Sequence, residues 1–293
     1  MAIPDIYLVD NGSLRPSATI ALRDLAKSLS LLTDHVVEPV SLLHSHKIDP
    51  VELGGQPATI LKRRLRAALA SGKRDFILLP LFLGPSRAIT DYIPEVLDSV
   101  QPKGEPLHVV VADPICGASF QEPDKRLAEM LADQVRTLCP EAISEGKQTA
   151  VALVDHGTPA PEVNQLRNAV ARDLKALLGE RMSGVIAASM ERRDGPEYAF
   201  NEPLLEDLNV ANHGLSEDLV IAMFFLLPGR HAGDQGDVAE ICQGLLNKDA
   251  FSRIRMTGLL GEHPALLEIL ADRLRDACLL ADRTNREDGS AKL

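Results

Sequence analysis

The strongest constraint on this chain is a phrase it contains twice. Leu8–Pro16 reads LVDNGSLRP and Leu153–Pro161 reads LVDHGTPAP. The likeness extends over IYLVDNGSLRPSATIALRDLAKSL, from Ile6, and VALVDHGTPAPEVNQLRNAVARDL, from Val151, an offset of 145 residues that also carries Asp10 onto Asp155. In each copy a short apolar run ends in Asp, a small polar turn follows, and a helix-period segment begins at Pro16 or Pro161. Val163, Leu166, Val170, Leu174 and Leu177 recur every three or four residues and mark the face on which the second of these helices packs against a sheet.

The two halves stay in step beyond the opening phrase. FILLPLFLGPSRAITD, from Phe76, matches VIAMFFLLPGRHAGDQ, from Val220, each an apolar strand pattern followed by an Arg-containing turn. LHVVVAD from Leu107 and SRIRMTG from Ser252 read as further strands. KRLAEMLADQVRTL from Lys125 and PALLEILADRLRDACLL from Pro264 read as the closing helices. Continuous apolar strands separated by helical segments indicate parallel sheets covered on both faces. The expected fold is therefore α/β, with two similar open parallel-sheet domains related by internal duplication. The expected domains are 1–143 and 144–293, divided in the polar stretch CPEAISEGKQT, and the tail from Thr284 is expected to fray.

Composition narrows the chemistry. A formal net charge of −11 argues against general nucleic-acid binding, and 3% aromatic residues with no Trp leave little for a base-stacking platform. No apolar run is long enough for a bilayer and Met1–Pro4 lacks the features of a secretion signal, so a cytoplasmic protein is expected. Cys116, Cys139, Cys242 and Cys278 are widely spaced and read as ordinary thiols. Neither GxGxxG nor GxxxxGK[ST] occurs, so neither a nucleotide nor a flavin is expected, and there is no GxSxG nucleophile elbow.

Ligands of open α/β sheets bind beyond the carboxyl ends of the strands. His156 follows the VALVD run and His231 follows FFLLPGR, so both belong at one sheet edge. Imidazole there serves equally as a ligand for Co, Ni, Fe or Zn or as a proton acceptor near neutral pH. Glu191 ends the VIAASM strand and is placed to face them. Arg192 and Arg193 beside it, and Arg87 and Arg230 in the matching PSR and PGR turns, are candidates for holding substrate carboxylates. Asp155 and Asp234 have counterparts in Asp10 and Asp91, which favours a capping or histidine-orienting role over direct chemistry. In the first half Asn11 stands for His156, Ala88 for His231, and Ser45 aligns approximately with Glu191. His44 and His46 read as a surface loop, and His263 as part of the turn leading into the last helix.

The LVDHGT turn, the FLLPGRH segment, the SME strand end and the closing LLGEHPALLEILADRL together resemble the class II tetrapyrrole chelatases, specifically the long two-domain CbiX-type sirohydrochlorin cobaltochelatases. The resemblance covers nearly the whole chain. It implies insertion of a divalent metal into sirohydrochlorin or a related carboxylate-rich tetrapyrrole on the route to cobalamin, siroheme or a related nickel cofactor, with cobalt first and iron or nickel as the other candidates. It also implies paired α/β domains enclosing a cleft, with His156, His231 and Glu191 as metal-binding and catalytic residues. Asn11 and Ala88 then make the first half a companion without a second metal site. A non-enzymatic metal or tetrapyrrole carrier is the alternative, and whether the chain is a monomer or a homo-oligomer stays open.

Overall fold

The computed structural model describes residues 4–102, 104–140, 148–233 and 235–290. Its strands form two four-stranded sheets, parallel throughout. In the first, β1 (Asp5–Asp10), β2 (Val37–Ser41), β3 (Asp75–Pro80) and β4 (His108–Val111) lie in the order β2-β1-β3-β4. In the second, β5 (Thr149–Asp155), β6 (Gly184–Ser189), β7 (Asp218–Met223) and β8 (Arg253–Met256) repeat it as β6-β5-β7-β8. The duplication read in the sequence is thus a duplication of topology. The central strands are buried on both faces, as their unbroken apolar runs require: Ile6–Val9, Phe76–Leu79, Ala150–Val154 and Leu219–Met223 are all core.

Helices α1 (Pro16–Thr33) and α5 (Pro161–Leu178) each begin with proline in the first turn, where its fixed φ suits the helix and its missing N–H costs no bond. On α1 the buried stripe is Leu22, Leu25, Ala26 and Leu29. On α5 it is Leu166, Val170, Leu174 and Leu178. Leu177, expected on this face, points outward, because Leu178 falls four residues after Leu174. Among the described residues the remaining α-helices are α2 (Leu61–Ala70), α3 (Ile93–Val100), α4 (Arg126–Leu138), the single turn α6 (Val210–His213), α7 (Asp237–Asn247) and α8 (Pro264–Ser290).

The compact units differ from the expected division at 143/144. One unit comprises residues 1–118 and 266–293, the other residues 119–265. Helix α4, which closes the first sequence half, therefore belongs to the second unit, where it packs on α5 and β7. Helix α8, which closes the second half, belongs to the first unit. The apolar stripe of α4, Leu127, Met130, Leu131 and Val135, must be buried against a sheet, and two sheets of like pattern offer the same cover. Periodicity does not distinguish between them. Of the expected boundary stretch, residues 141–147 lie outside the described residues. Helix α8 runs on through the segment expected to fray, as far as Ser290. The four cysteines remain thiols, three of them buried.

The sheets share one device at the ligand edge. β1 pairs β2 with Asp10 opposite Ser41, and β5 pairs β6 with Asp155 opposite Ser189. Pairing then continues past both strand ends. Leu42 N donates to Asp10 O (2.8 Å) and Leu43 N to Asn11 O (3.0 Å), while Met190 N donates to Asp155 O (2.7 Å) and Glu191 N to His156 O (3.1 Å). This register makes Leu43, two residues before the expected Ser45, the counterpart of Glu191. It also requires glycine. Gly12 (φ +86°) and Gly157 (φ +92°) lie in the left-handed region, and a Cβ there would stand 1.9 Å from Leu43 O or 1.8 Å from Glu191 O.

The units part at the strand-end carboxylates. Asp155 Oδ1 accepts from Ser189 Oγ (2.7 Å) and Gly157 N (3.2 Å) and lies 3.6 Å from the guanidinium of buried Arg167. At the same offset from Asp10 the first unit has Leu22, and Asp10 Oδ1 is buried without a hydrogen-bond partner. Burial raises the Asp10 carboxyl to about 6, only partly offset by Ser41 and the Gly12 N–H.

Two predictions follow from this edge. Gly157→Ala should lower stability by roughly 2 kcal/mol or more, since it combines a strained φ with a backbone clash. Gly184→Ala, where a Cβ meets nothing within 4 Å, is the control for chemical denaturation; equal midpoints for the two variants would refute the constraint. For Asp10, a folded value raised above the unfolded one means a contribution fully present below about pH 4 and lost as pH rises through about 6. Asp10→Asn should therefore gain on wild type between pH 4 and 7.5, by at most on the order of 3 kcal/mol. A stability difference between the two that does not change with pH would contradict the burial of this carboxyl.

Candidate metal centre

The carboxyl edge of the second sheet gathers three of the residues singled out in the sequence. His156 leaves β5, Glu191 leaves β6, and His231 stands in the loop between β7 and α7. His156 Nε2 lies 3.2 Å from Glu191 Oε1. The imidazoles of His156 and His231 meet edge to face, with centroids 4.4 Å apart and planes at 65°.

Hydrogen bonds at the other ring nitrogen set each imidazole. His231 Nδ1 is 2.7 Å from Asp237 Oδ2, an arrangement that places the proton on Nδ1 and leaves the Nε2 lone pair available. His156 Nδ1 is 3.0 Å from the Gly157 carbonyl, which can only accept, so Nδ1 carries hydrogen there as well. In the neutral ring Nε2 then faces the Glu191 carboxylate as one acceptor facing another. Such a contact is favourable only with a proton or a cation between them. Both side chains are about half exposed, at 45% for His156 and 58% for Glu191, so an ion can reach them from solvent.

Local backbone structure accounts for the position of His231. The first amides of α7, Asp237 N and Val238 N, donate to Arg230 O and His231 O (both 3.2 Å). The histidine loop thereby caps the helix, and Asp237 sits in the first helical turn, where a carboxylate is favoured. Gly236 permits the closure, since a Cβ there would stand 2.8 Å from His231 O.

Asp237 was not singled out in the sequence; Asp234, given the orienting role there, lies outside the described residues. An acidic residue six positions after His231, at the start of an apolar-periodic helix, was the available signal. Also missed was a buried layer beneath the histidine turn. Asn201, fully buried, accepts from Thr158 N (3.0 Å) and donates to Thr158 O (2.9 Å) and Tyr198 O (3.1 Å), tying the His156 turn to the loop that carries Glu191. Asp155, expected to cap or orient, caps the same turn through Gly157 N. Burial raises its carboxyl, with Arg167 opposing.

The arginines are distributed differently. Arg192 is committed to its own loop, with Nη1 donating to Arg193 O (3.1 Å) and Gly195 O (3.3 Å) and Nε 2.9 Å from Glu202 Oε1. Arg193 is exposed and lies over the Tyr198 ring at 6.0 Å. Arg230, 77% exposed, reaches within 3.6 Å of Asp237 Oδ2. Arg87 is exposed in the first unit. His44 there has a left-handed φ of +61°, while His263 accepts from Ala265 N (3.2 Å) in the turn leading into α8, as expected. Among the described residues no group of three or more His, Cys, Asp or Glu side chains stands ready as a metal cage. No helix among them is long and apolar enough to cross a membrane.

Comparison with known proteins bears on both halves. The CbiX family model matches residues 150–277. Two structures of SirB are similar over nearly their full length. SirB from Bacillus subtilis with Fe3+ gives 17% identity and a TM-score of 0.65 over 94% of this chain and 95% of that one. The sirohydrochlorin chelatase SirB from Bacillus subtilis subspecies spizizenii, in complex with cobalt, gives 14% identity and 0.64 over 94% of each chain. DR2241 from Deinococcus radiodurans, a multi-domain protein with structural similarity to chelatases, gives 17% identity and 0.55 over 93% of this chain and 54% of that one. No curated protein sequence matches the chain. At these identities the solved structures establish the two-domain chelatase fold, while the family match falls on the half that bears both histidines. Residues 150–277 thus match the CbiX family model, and the chain as a whole has the fold of SirB.

Proposed function

We propose that this protein inserts a divalent metal, cobalt first among the candidates, into sirohydrochlorin or a related carboxylate-rich tetrapyrrole. The observation that carries the proposal is the convergence of His156, His231 and Glu191 at one sheet edge, with both imidazoles set to present Nε2. Two neutral nitrogens and one carboxylate oxygen suit Co2+, Fe2+ and Ni2+ alike, which makes the metal a matter for assay. SirB, whose fold this chain shares, has been seen with Fe3+ and with cobalt.

Insertion exchanges two pyrrolic N–H protons for one M2+. The metal is delivered from the imidazoles and Glu191 to the four ring nitrogens, and the two released protons need bases. Glu191 and the vacated Nε2 of His156 serve, being adjacent and open to solvent. Asp237 keeps His231 in its Nδ1–H form through the cycle. Arg193 and Arg230, exposed on loops of the same unit, are the proposed partners of the macrocycle's carboxylates. Arg192 supports the loop between Glu191 and Glu202, and Arg87, exposed in the first unit, is kept as a further proposed carboxylate-binding arginine.

The test is anaerobic incubation of sirohydrochlorin with Co2+, Fe2+ or Ni2+, followed by macrocycle absorbance. Wild type should accelerate insertion over the uncatalysed rate, and His156→Ala and His231→Ala should each lose most of that acceleration. A double variant with wild-type rates would refute the mechanism. Tight binding without acceleration for any metal would instead make the protein a carrier. Asp237→Asn should weaken Co2+ binding by about 10- to 100-fold, through loss of the tautomer-fixing bond, with little change in thermal stability. Unchanged affinity would remove Asp237 from the site.

A further inference from the structure

We infer that Arg167 is a positioning residue for the His156–Glu191 half of this centre; the inference rests on the proposed function for its catalytic meaning and on geometry for its substance. Arg167 is 1% exposed, on the buried face of α5. Its guanidinium is satisfied by groups that meet under the site. Nη1 donates to Ser189 Oγ and to Asn201 O (3.1 Å), while Nε and Nη2 donate to Asn168 Oδ1 (3.1 and 3.0 Å). Ser189 Oγ passes its own hydrogen to Asp155 Oδ1 (2.7 Å), which holds Gly157 N. Asn201 holds both backbone groups of Thr158. One planar cation thus links the turn presenting His156 to the end of β6 and the loop after it, which present Glu191.

Stability does not explain this residue. Withdrawing a guanidinium from water is costly even when it is paired, and a well-packed apolar replacement for a buried ion pair is often neutral or better. The same chain supplies that comparison. At the matching position the first unit has Leu22, 2% exposed, in a unit that keeps the strand-end Asp10, the turn Gly12 and the strand-end Ser41, and the sheet forms with the same order. What that unit lacks is the histidine and the glutamate, for which it has Asn11 and Leu43. The buried arginine therefore accompanies the donor set and is dispensable to the fold.

The experiment uses the full chain with Arg167→Leu, which copies the first unit, and Arg167→Lys, which keeps the charge but loses the planar fork. Three readouts are taken: thermal unfolding, Co2+ affinity together with the ligand-field absorption of bound Co2+, and imidazole NMR resonances at fixed pH without metal. Both variants should remain folded. Co2+ affinity should fall at least tenfold with an altered ligand-field spectrum, and the His156 resonances should move and broaden while those of His108, in the other unit, stay in place. The leucine variant should show the larger effect. Wild-type His156 resonances and Co2+ spectrum in either folded variant would overturn the inference. Because the NMR comparison needs no metal and no tetrapyrrole, it decides the positioning role even if wild-type protein proves unable to accelerate insertion, an outcome that would sink the proposed function alone.

Discussion

Everything at the candidate centre depends on β5 and β6 remaining paired for two residues after they stop being strands. The bonds from Met190 N to Asp155 O and from Glu191 N to His156 O set the two departing segments side by side. Glu191 N bonds to the carbonyl of His156 itself, and the two side chains come within 3.2 Å of each other. The contact is tight enough that only glycine fits at 157. His231 then joins from β7, on the other flank of β5, through a loop held by the amides that open α7. The centre is thus assembled from backbone bonds, with few side-chain degrees of freedom left to fix.

The first unit has the same edge without the donors. Asn11, Leu43 and Ala88 occupy the places of His156, Glu191 and His231, and Pro94 falls at the first helical turn where the second unit has Asp237. Both units nonetheless keep the turn glycine and the paired strand ends, so these belong to the fold and the donors are an addition to it. The carboxylates sharpen the distinction. Burial raises both, but Asp10 has only Ser41 and the Gly12 N–H to oppose it, whereas Asp155 has the Arg167 guanidinium besides Ser189 and the Gly157 N–H. The same residue type is tolerated on one side and built into a network on the other.

Much of this was legible in the sequence because it rests on short-range regularities. Apolar runs of strand length, a proline opening each helix and a phrase repeated at a fixed offset are local signals, and they led to the parallel sheets and to the edge holding His156, Glu191 and His231. The exchange of α4 and α8 between units was not legible, because an amphipathic stripe states that it must be buried but not which of two like sheets will bury it. Asp237 escaped for a different reason: its role depends on the loop folding back onto the helix start. Arg167 was partly readable, since the repeat offset sets it against Leu22, a charge in an apolar stripe against an apolar residue. The partners that satisfy the charge, Ser189 and Asn201, come from segments 22 and 34 residues away, and no periodicity announces them.

Under the proposed function, the openness of the donor set is part of its suitability. A structural zinc site closes four ligands around the ion and excludes water, which favours retention. Here two imidazoles and one carboxylate lie at a sheet edge, two of the three about half exposed, and no closed cage forms among the described residues. An ion held in this way keeps part of its hydration shell and can exchange it for macrocycle nitrogens one at a time. A tighter cage would gain affinity for the metal in the ground state and would have to return it during transfer, when the protein ligands are lost. Precision in the orientation of each donor, combined with a small number of donors, meets both demands: Gly157 O and Asp237 aim the lone pairs, and solvent supplies the remaining ligands until the tetrapyrrole replaces them.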